Sequence, residues 1–287
     1  MAASYYFARQ IGCGNWASVW IVQPKGSARG QVKAMKIVHR ASQSGALQRF
    51  NALLNEYKVL AGMPRHPNIV CFEDLVLSPS YACLVMPFYD QPMTVCLPFA
   101  ACRVYFARMA EAVEWLHKHY ITHNDLKLAN TLVNRGAGEP YGQPVLVDFG
   151  FARNHQPCYG TNFISNESWG TPEYLSPERS VGDAHDERLS DIWALGVSFF
   201  EMATGRTPFE KKNEVFTTPE AREEYYRRTI QGKWYTDYDL PFEIEDLCRA
   251  IVRVDPQARP RIPEILEHDF FQDAAATDSA GSSPRSI

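Results

Sequence analysis

The hydrophobic and polar positions change period several times along the chain. Gln10 to Val22 reads as strand, glycine turn, strand, and Val32 to Val38 as the next strand. Over residues 45 to 62 the spacing turns helical, with Leu47, Phe50, Leu54, Tyr57 and Met63 as its apolar positions. A turn at His66 to Val70 leads towards another strand, Tyr81 to Met86. Phe99 to Tyr120 is a strong helix, its apolar side carrying Tyr105, Phe106, Met109, Val113 and Leu116. His117 and His119 near its end are placed to cap the helix C-terminus. Thr131 to Val133 and Val145 to Val147 flank a Gly/Pro-rich turn at 136–144, which predicts a hairpin. Further helices are predicted around Asp191 to Val197, where an ordinary N-cap is the bland alternative for Asp191, at Thr218 to Ile230, at Leu240 to Val254, and from Pro263 to His268. Ala274 to Ile287 is Ala/Ser-rich with few large apolar groups and is expected to be a loose tail.

Composition narrows the class. With 45% hydrophobic and 13% aromatic residues in 287, the chain can bury a sizeable core. The 29 basic and 33 acidic residues give a formal charge of -4, which argues against nucleic acid or an anionic membrane as the main partner. The 7 cysteines (Cys13, Cys71, Cys83, Cys96, Cys102, Cys158 and Cys248) contain no C-x-x-C pair, so reduced intracellular thiols are expected rather than zinc or a disulfide framework. Met1 to Gln10 has no apolar signal core, and the most apolar helical run, Ile192 to Ala203, is short for a bilayer span and contains Glu201.

Candidate chemistry collects at the ends of the predicted hairpin. Asp125, Lys127 and Asn130 precede its first strand, and Asp148 follows its second. A hairpin brings its ends together, so these groups are expected to converge. An Asp/Asn pair is a hard-oxygen site suited to Mg²⁺. A second Asp beside a Lys suits phosphoryl transfer, which depends on positioning and charge neutralisation. Upstream, Gly12 and Gly14 let backbone N–H groups approach a phosphate. Lys36 lies inside an apolar strand, where an unpaired ammonium is costly; it either needs a carboxylate partner or faces solvent.

The ordered pair Asp125-x-x-x-x-Asn130 and Asp148-Phe149-Gly150 resembles the catalytic loop and metal-binding motif of eukaryotic protein kinases. The resemblance runs from residue 5 to 271 and implies an α+β, two-lobed fold. A small antiparallel β-sheet lobe with one helix (1–88) would join a larger, mainly helical lobe (89–271), with 272–287 as a flexible tail and ATP and Mg²⁺ between the lobes. Within it, Asp125 would orient the acceptor hydroxyl, Lys127 would stabilise the transferred phosphate, and Asn130 and Asp148 would hold Mg²⁺. Lys36 would reach the nucleotide phosphates with Glu56 as its partner. Ile11, Gly12, Gly14, Val19 and Ala34 would line the nucleotide site, Met86 would be the gatekeeper, and the Pro87 carbonyl and the Tyr89 N–H would face adenine. Asp191 would brace the catalytic-loop backbone, and Glu178 would pair with Arg259. Lys127 and the run Gly170 to Glu178 resemble the serine/threonine type, so the implied partner is a protein bearing a Ser or Thr hydroxyl. The implied enzyme is an intracellular monomer, cytoplasmic or nuclear, open to a regulatory partner and without membrane insertion.

Three departures mark this chain. Ala17 stands where the third loop glycine is usual. Leu128-Ala129 replaces the commoner Pro-Glu, which weakens the case for an obligatory basic substrate motif. The loop reads His123-Asn124-Asp125, with Asn124 in place of the usual Arg that pairs with a phosphate on the activation segment. A neutral amide makes no bidentate ion pair. Activity is therefore expected to depend weakly or not at all on phosphate at Tyr159, Thr161, Ser165 or Ser168. Asn124 and Ala17 leave open a second reading, a pseudokinase that binds nucleotide and acts as a scaffold; intact Lys36, Asp125, Asn130 and Asp148 favour catalysis. A small-molecule kinase is a third, disfavoured by the Thr171 segment.

Overall fold

The computed structural model describes residues 4–14, 17–26, 31–39, 45–155, 163–214, 218–235 and 240–272. Tyr159, Thr161 and all of the 272–287 tail except Gln272 lie outside the described residues. In chain order the main elements are β1 (Tyr5–Cys13), β2 (Ser18–Pro24), β3 (Lys33–His39), α1 (Ala46–Leu60), β4 (Asp74–Leu77), β5 (Tyr81–Pro87), β6 (Gln91–Pro92), α2 (Phe99–Lys118), β7 (Ile121–Thr122), β8 (Thr131–Asn134) and β9 (Gln143–Leu146). Then come α3 (Pro177–Ser180), α4 (Glu187–Thr204), α5 (Pro219–Ile230), α6 (Phe242–Ile251) and α7 (Ile262–Leu266). They form two compact units, one of residues 1–93 with 129–154, the other of 94–128 with 155–287.

The first unit is built on a five-stranded sheet of order β1-β2-β3-β5-β4, antiparallel at every pairing. Val22, Met35, Ile37, Cys83 and Val85 form its buried core. Alternation along β3 puts Ala34, Lys36 and Val38 on the face opposite Met35 and Ile37. α1 buries Leu53, Glu56 and Val59. This corrects the apolar stripe expected from sequence: Leu47 is 71% exposed, and Leu53 takes the inner place. The helix is rotated so that a carboxylate, Glu56, faces inward, a choice only its partner explains. β6, β8 and β9 make a second, three-stranded sheet. The β8–β9 hairpin pairs Thr131 with Leu146 and Val133 with Pro144; β9 starts earlier than expected and takes Pro144 into the ladder, which an edge strand tolerates.

The second unit is helical. All five apolar positions read for α2 are buried. α4 is buried along most of its length, and Trp193 and Val197 pack with Phe209, Tyr225 and Val252. Gly196 lets α6 approach: a Cβ there would meet Ile251 Cγ2 at 2.6 Å. Asp186 caps α4, accepting from Arg188 N–H, so Asp191 lies inside the helix and the N-cap reading is overturned. His119 is the C-cap residue of α2 with its ring on Trp115 O, whereas His117 turns to Asp191 instead of capping. Among the described residues, no helix is long and apolar enough to cross a membrane.

Candidate active site

In the first unit, Lys36 Nζ donates to Glu56 Oε2 at 2.7 Å and to Asp148 Oδ1 at 2.8 Å. The Lys36 side chain is 15% exposed and that of Glu56 only 2%, so the solvent-facing alternative for Lys36 is excluded. Burial works against the ammonium, but the two carboxylates outweigh it and hold the Lys36 pKa above its ordinary value. Burial raises the Glu56 carboxyl, and Lys36 opposes that rise. The other Glu56 oxygen accepts the Phe149 N–H at 3.3 Å, which ties α1 to the segment after β9.

Asp148 sits in the left-handed region with φ 64, where Asp and Asn are the favoured non-glycine residues. Its side chain remains 46% exposed. Asn130 is buried, and its carbonyl accepts the Val147 N–H at 2.9 Å, so the end of the hairpin places it one step from Asp148. Along the sheet Gly12 faces Val19, Val19 faces Lys36, and Ala34 faces Met86. Pro87 is the last residue of β5 and faces Lys33. Ile11 is 40% exposed. Neither Gly12 nor Gly14 has positive φ, and an added Cβ would meet only Val19 at Gly12 and nothing within 4 Å at Gly14, among the described residues. Packing among the described residues therefore does not demand glycine at these two places. Burial, with Cys71 and Glu73 nearby, lifts the Tyr89 phenol to about 12.

In the second unit, Asp125 is 7% exposed and fully engaged. Its Oδ1 accepts the Thr171 N–H at 2.8 Å and the Thr171 hydroxyl at 2.7 Å, while Oδ2 lies 3.0 Å from Lys127 Nζ. Lys127 also donates to the Thr171 hydroxyl, which thus receives one hydrogen bond and gives another. Gly170, at φ 124, lets this segment come close: a Cβ would lie 2.9 Å from the Asn124 carbonyl. Asp191, 1% exposed, accepts the His123 N–H and the Asn124 N–H, both at 2.9 Å, from inside α4. The brace expected of Asp191 is thus present, and its second oxygen also meets His117 at 3.0 Å.

Four residues escaped the sequence reading: Thr122, Arg179 and Glu187 bond the Asn124 side chain, and His155 joins them through Glu187 and Thr122. Nothing in their spacing signals it, because a buried polar cluster is defined by partners distant in sequence.

A β-sheet unit carrying a buried Lys–Glu pair beside an Asp-Phe-Gly turn, and a helical unit carrying an Asp–Lys–Thr cluster, are the features of a phosphotransferase of the protein kinase type. The chain belongs to that family: its residues 5–271 match the protein kinase domain. It is similar to the serine/threonine-protein kinase SRK2I of Arabidopsis thaliana, 29% identical over 93% of this chain and 71% of that one. The serine/threonine-protein kinase SAPK3 of Oryza sativa subsp. indica is 27% identical over 94% and 78%. For the serine/threonine-protein kinase ATG1b of Arabidopsis thaliana the figures are 28%, 96% and 37%.

Proposed function

We infer that this kinase transfers the γ-phosphate of ATP to Ser or Thr hydroxyls of protein substrates. The observation that carries the reading is the Lys36 ammonium, held charged between Glu56 and Asp148 at 2.7 and 2.8 Å in a strand that otherwise packs apolar side chains. The Lys36 ammonium is the group suited to a polyanion; Glu56 holds it in place, and Asp148 would meet phosphates through a cation. Asn130 and Asp148 offer an amide oxygen and a carboxylate, a donor set that fits Mg²⁺, which takes one or two protein oxygens and completes its shell with water and phosphate. Mg²⁺ bound there would neutralise charge on the transferring phosphate. Gly12 and Gly14 would let the loop backbone come close to the phosphates, the Gly14 N–H itself donating to Ala17 O at 3.0 Å, with Ile11, Val19, Ala34 and Met86 against the base and Pro87 and Tyr89 lending backbone polar groups. Asp125 would orient the acceptor hydroxyl, and Lys127 would steady the phosphate in transit.

The serine/threonine assignment is supported by the Lys127–Thr171 bond and by the names of the relatives. Free thiols at the described cysteines favour work inside the cell, in cytoplasm or nucleus, as a monomer open to a regulatory partner. No observation favours the scaffold reading.

The test is transfer of labelled phosphate from ATP to a positional-scanning peptide array, with and without Mg²⁺. Label on Ser and Thr positions, dependent on Mg²⁺, is expected. Transfer no greater than that of Asp125→Asn would overturn the reading. Enzyme treated exhaustively with phosphatase is expected to keep most of its activity, and loss of nearly all of it would refute the independence expected from Asn124.

A further inference from the structure

Asn124 precedes Asp125, and both ends of its amide are used inside the second unit. Nδ2 donates to Glu187 Oε2 at 3.0 Å and to Thr122 Oγ1 at 3.1 Å. Oδ1 accepts from Arg179 Nη1 at 2.9 Å. Its backbone is held as well, with φ 66 and the N–H on Asp191 Oδ1 at 2.9 Å. Among non-glycine residues Asn is one of the few at ease in that conformation.

Glu187 is the centre of the cluster. It is 0% exposed, and the same Oε2 also accepts the Thr122 hydroxyl at 2.7 Å and lies 3.0 Å from His155 Nε2. His155 Nε2 is also 3.0 Å from Thr122 Oγ1. As the first residue of the 18-residue α4, Glu187 has its carboxylate at the positive end of the helix dipole, and its own N–H is tied to Phe163 O at 2.8 Å. The Glu187 carboxyl is thus held from several sides by Asn124, Thr122 and His155. Arg179, 3% exposed, is the fixed cation on the other side.

A side chain set between a carboxylate and a guanidinium must donate to one and accept from the other. An amide does both; a carboxylate only accepts and a guanidinium only donates. Asn124 is therefore chemically specified by its neighbours, and the loop it belongs to is secured by charges the chain already contains.

We propose that Glu187 and Arg179 are positioning residues for phosphoryl transfer: through the two ends of the Asn124 amide they hold the catalytic loop, and with it Asp125, in working orientation without a charge added to the activation segment. The proposal rests on the kinase reading above.

The test uses the full chain after phosphatase treatment, measuring kcat on a peptide substrate, KM for ATP and Tm. Asn124→Asp sets a carboxylate against buried Glu187, and kcat is expected to fall about tenfold or more with KM for ATP within about twofold of wild type. Adding Glu187→Gln exchanges donor and acceptor: the new amide at 187 donates to the new carboxylate at 124, which still accepts from Arg179. The double variant is expected to recover kcat to within about threefold of wild type, a rescue that general loosening of the fold would not give. If wild type itself transfers no phosphate, the kinase reading fails. If wild type is active but Asn124→Asp keeps its kcat, or the double variant folds with wild-type Tm and stays as slow as the single, this proposal alone fails. Should the 124 variants not fold, Thr122→Val, nearly isosteric, removes one donor to Glu187. A drop in kcat of about threefold at unchanged KM then supports the proposal, and an unchanged kcat overturns it.

Discussion

Asp125→Asn is expected to lower kcat by about 10²–10⁴-fold while leaving KM for ATP within about twofold. The substitution preserves size and keeps one oxygen to accept the Thr171 N–H, now at 2.8 Å. What changes is the second oxygen, 3.0 Å from Lys127. An amide nitrogen there would face an ammonium, donor against donor, and the negative charge that orients an incoming hydroxyl would be gone. Groups that bind nucleotide in the reading above belong to the first unit, which is why the loss should fall on kcat. Single-turnover transfer to peptide, beside direct titration of ATP binding, checks both halves. A variant that bound ATP weakly, or one that kept a tenth of wild-type kcat, would remove Asp125 from the role given to it.

Parts of the molecule could be read from residue order alone, and the limit has a physical cause. α2 was legible because a long apolar stripe at helical spacing has one reading, and all five positions are buried. The β8–β9 hairpin was legible from its two short apolar runs, though its ladder takes in Pro144, a residue that alone argues for a turn. α1 was legible as a helix but not in its rotation. Its inward face includes Glu56, and a pattern rule based on apolar residues turns such a carboxylate outward. Lys36 and Glu56 were found by resemblance to a family; spacing by itself left Lys36 open to solvent as an alternative.

The second unit shows the same limit more sharply. An N-cap is the ordinary alternative for Asp191, which directly precedes the apolar run. The helix begins four residues earlier, with Glu187 and Ser190 buried inside it by polar partners. Capping rules assume that polar residues before an apolar stretch lie outside the helix, and a buried hydrogen-bond network defeats that assumption. Asn124 was legible only as a departure from a pattern. Its use became visible once Glu187 and Arg179, both more than fifty residues away in sequence, were placed on either side of it.

Arg259→Ala is expected to destabilise the second unit by about 3–5 kcal/mol, the usual result of leaving one buried charge without its partner. The Arg259 side chain is 0% exposed and Glu178 11%. Nη1 and Nη2 donate to the two Glu178 oxygens at 2.6 and 2.7 Å. Nε donates to Arg253 O at 2.8 Å, Nη1 also to Leu189 O at 3.0 Å, and Nη2 also to Val254 O at 3.2 Å. All the N–H donors of the guanidinium are thereby used. Lysine, with three donors and no fork, would not replace it, so Arg259→Lys should recover little of the loss. Burial pushes the Glu178 carboxyl up, but the hydrogen bonds and charge of Arg259 outweigh it, and the net shift is downward. A lowered folded pKa means the pair contributes fully above the unfolded value, near 4.3, and loses that contribution as pH falls through the lower folded value. The Tm gap between wild type and Arg259→Ala, roughly 10 °C at neutral pH, should therefore narrow in acid. Arg259→Leu with Glu178→Leu removes both charges and should regain part of the stability, but not all, because three backbone carbonyls that Arg259 serves would lose their donor. Thermal melts across pH for the single and double variants decide it: a gap that stays constant from pH 7 to well below 4, or a double variant no better than Arg259→Ala, would show that the ion pair is not what holds these segments together.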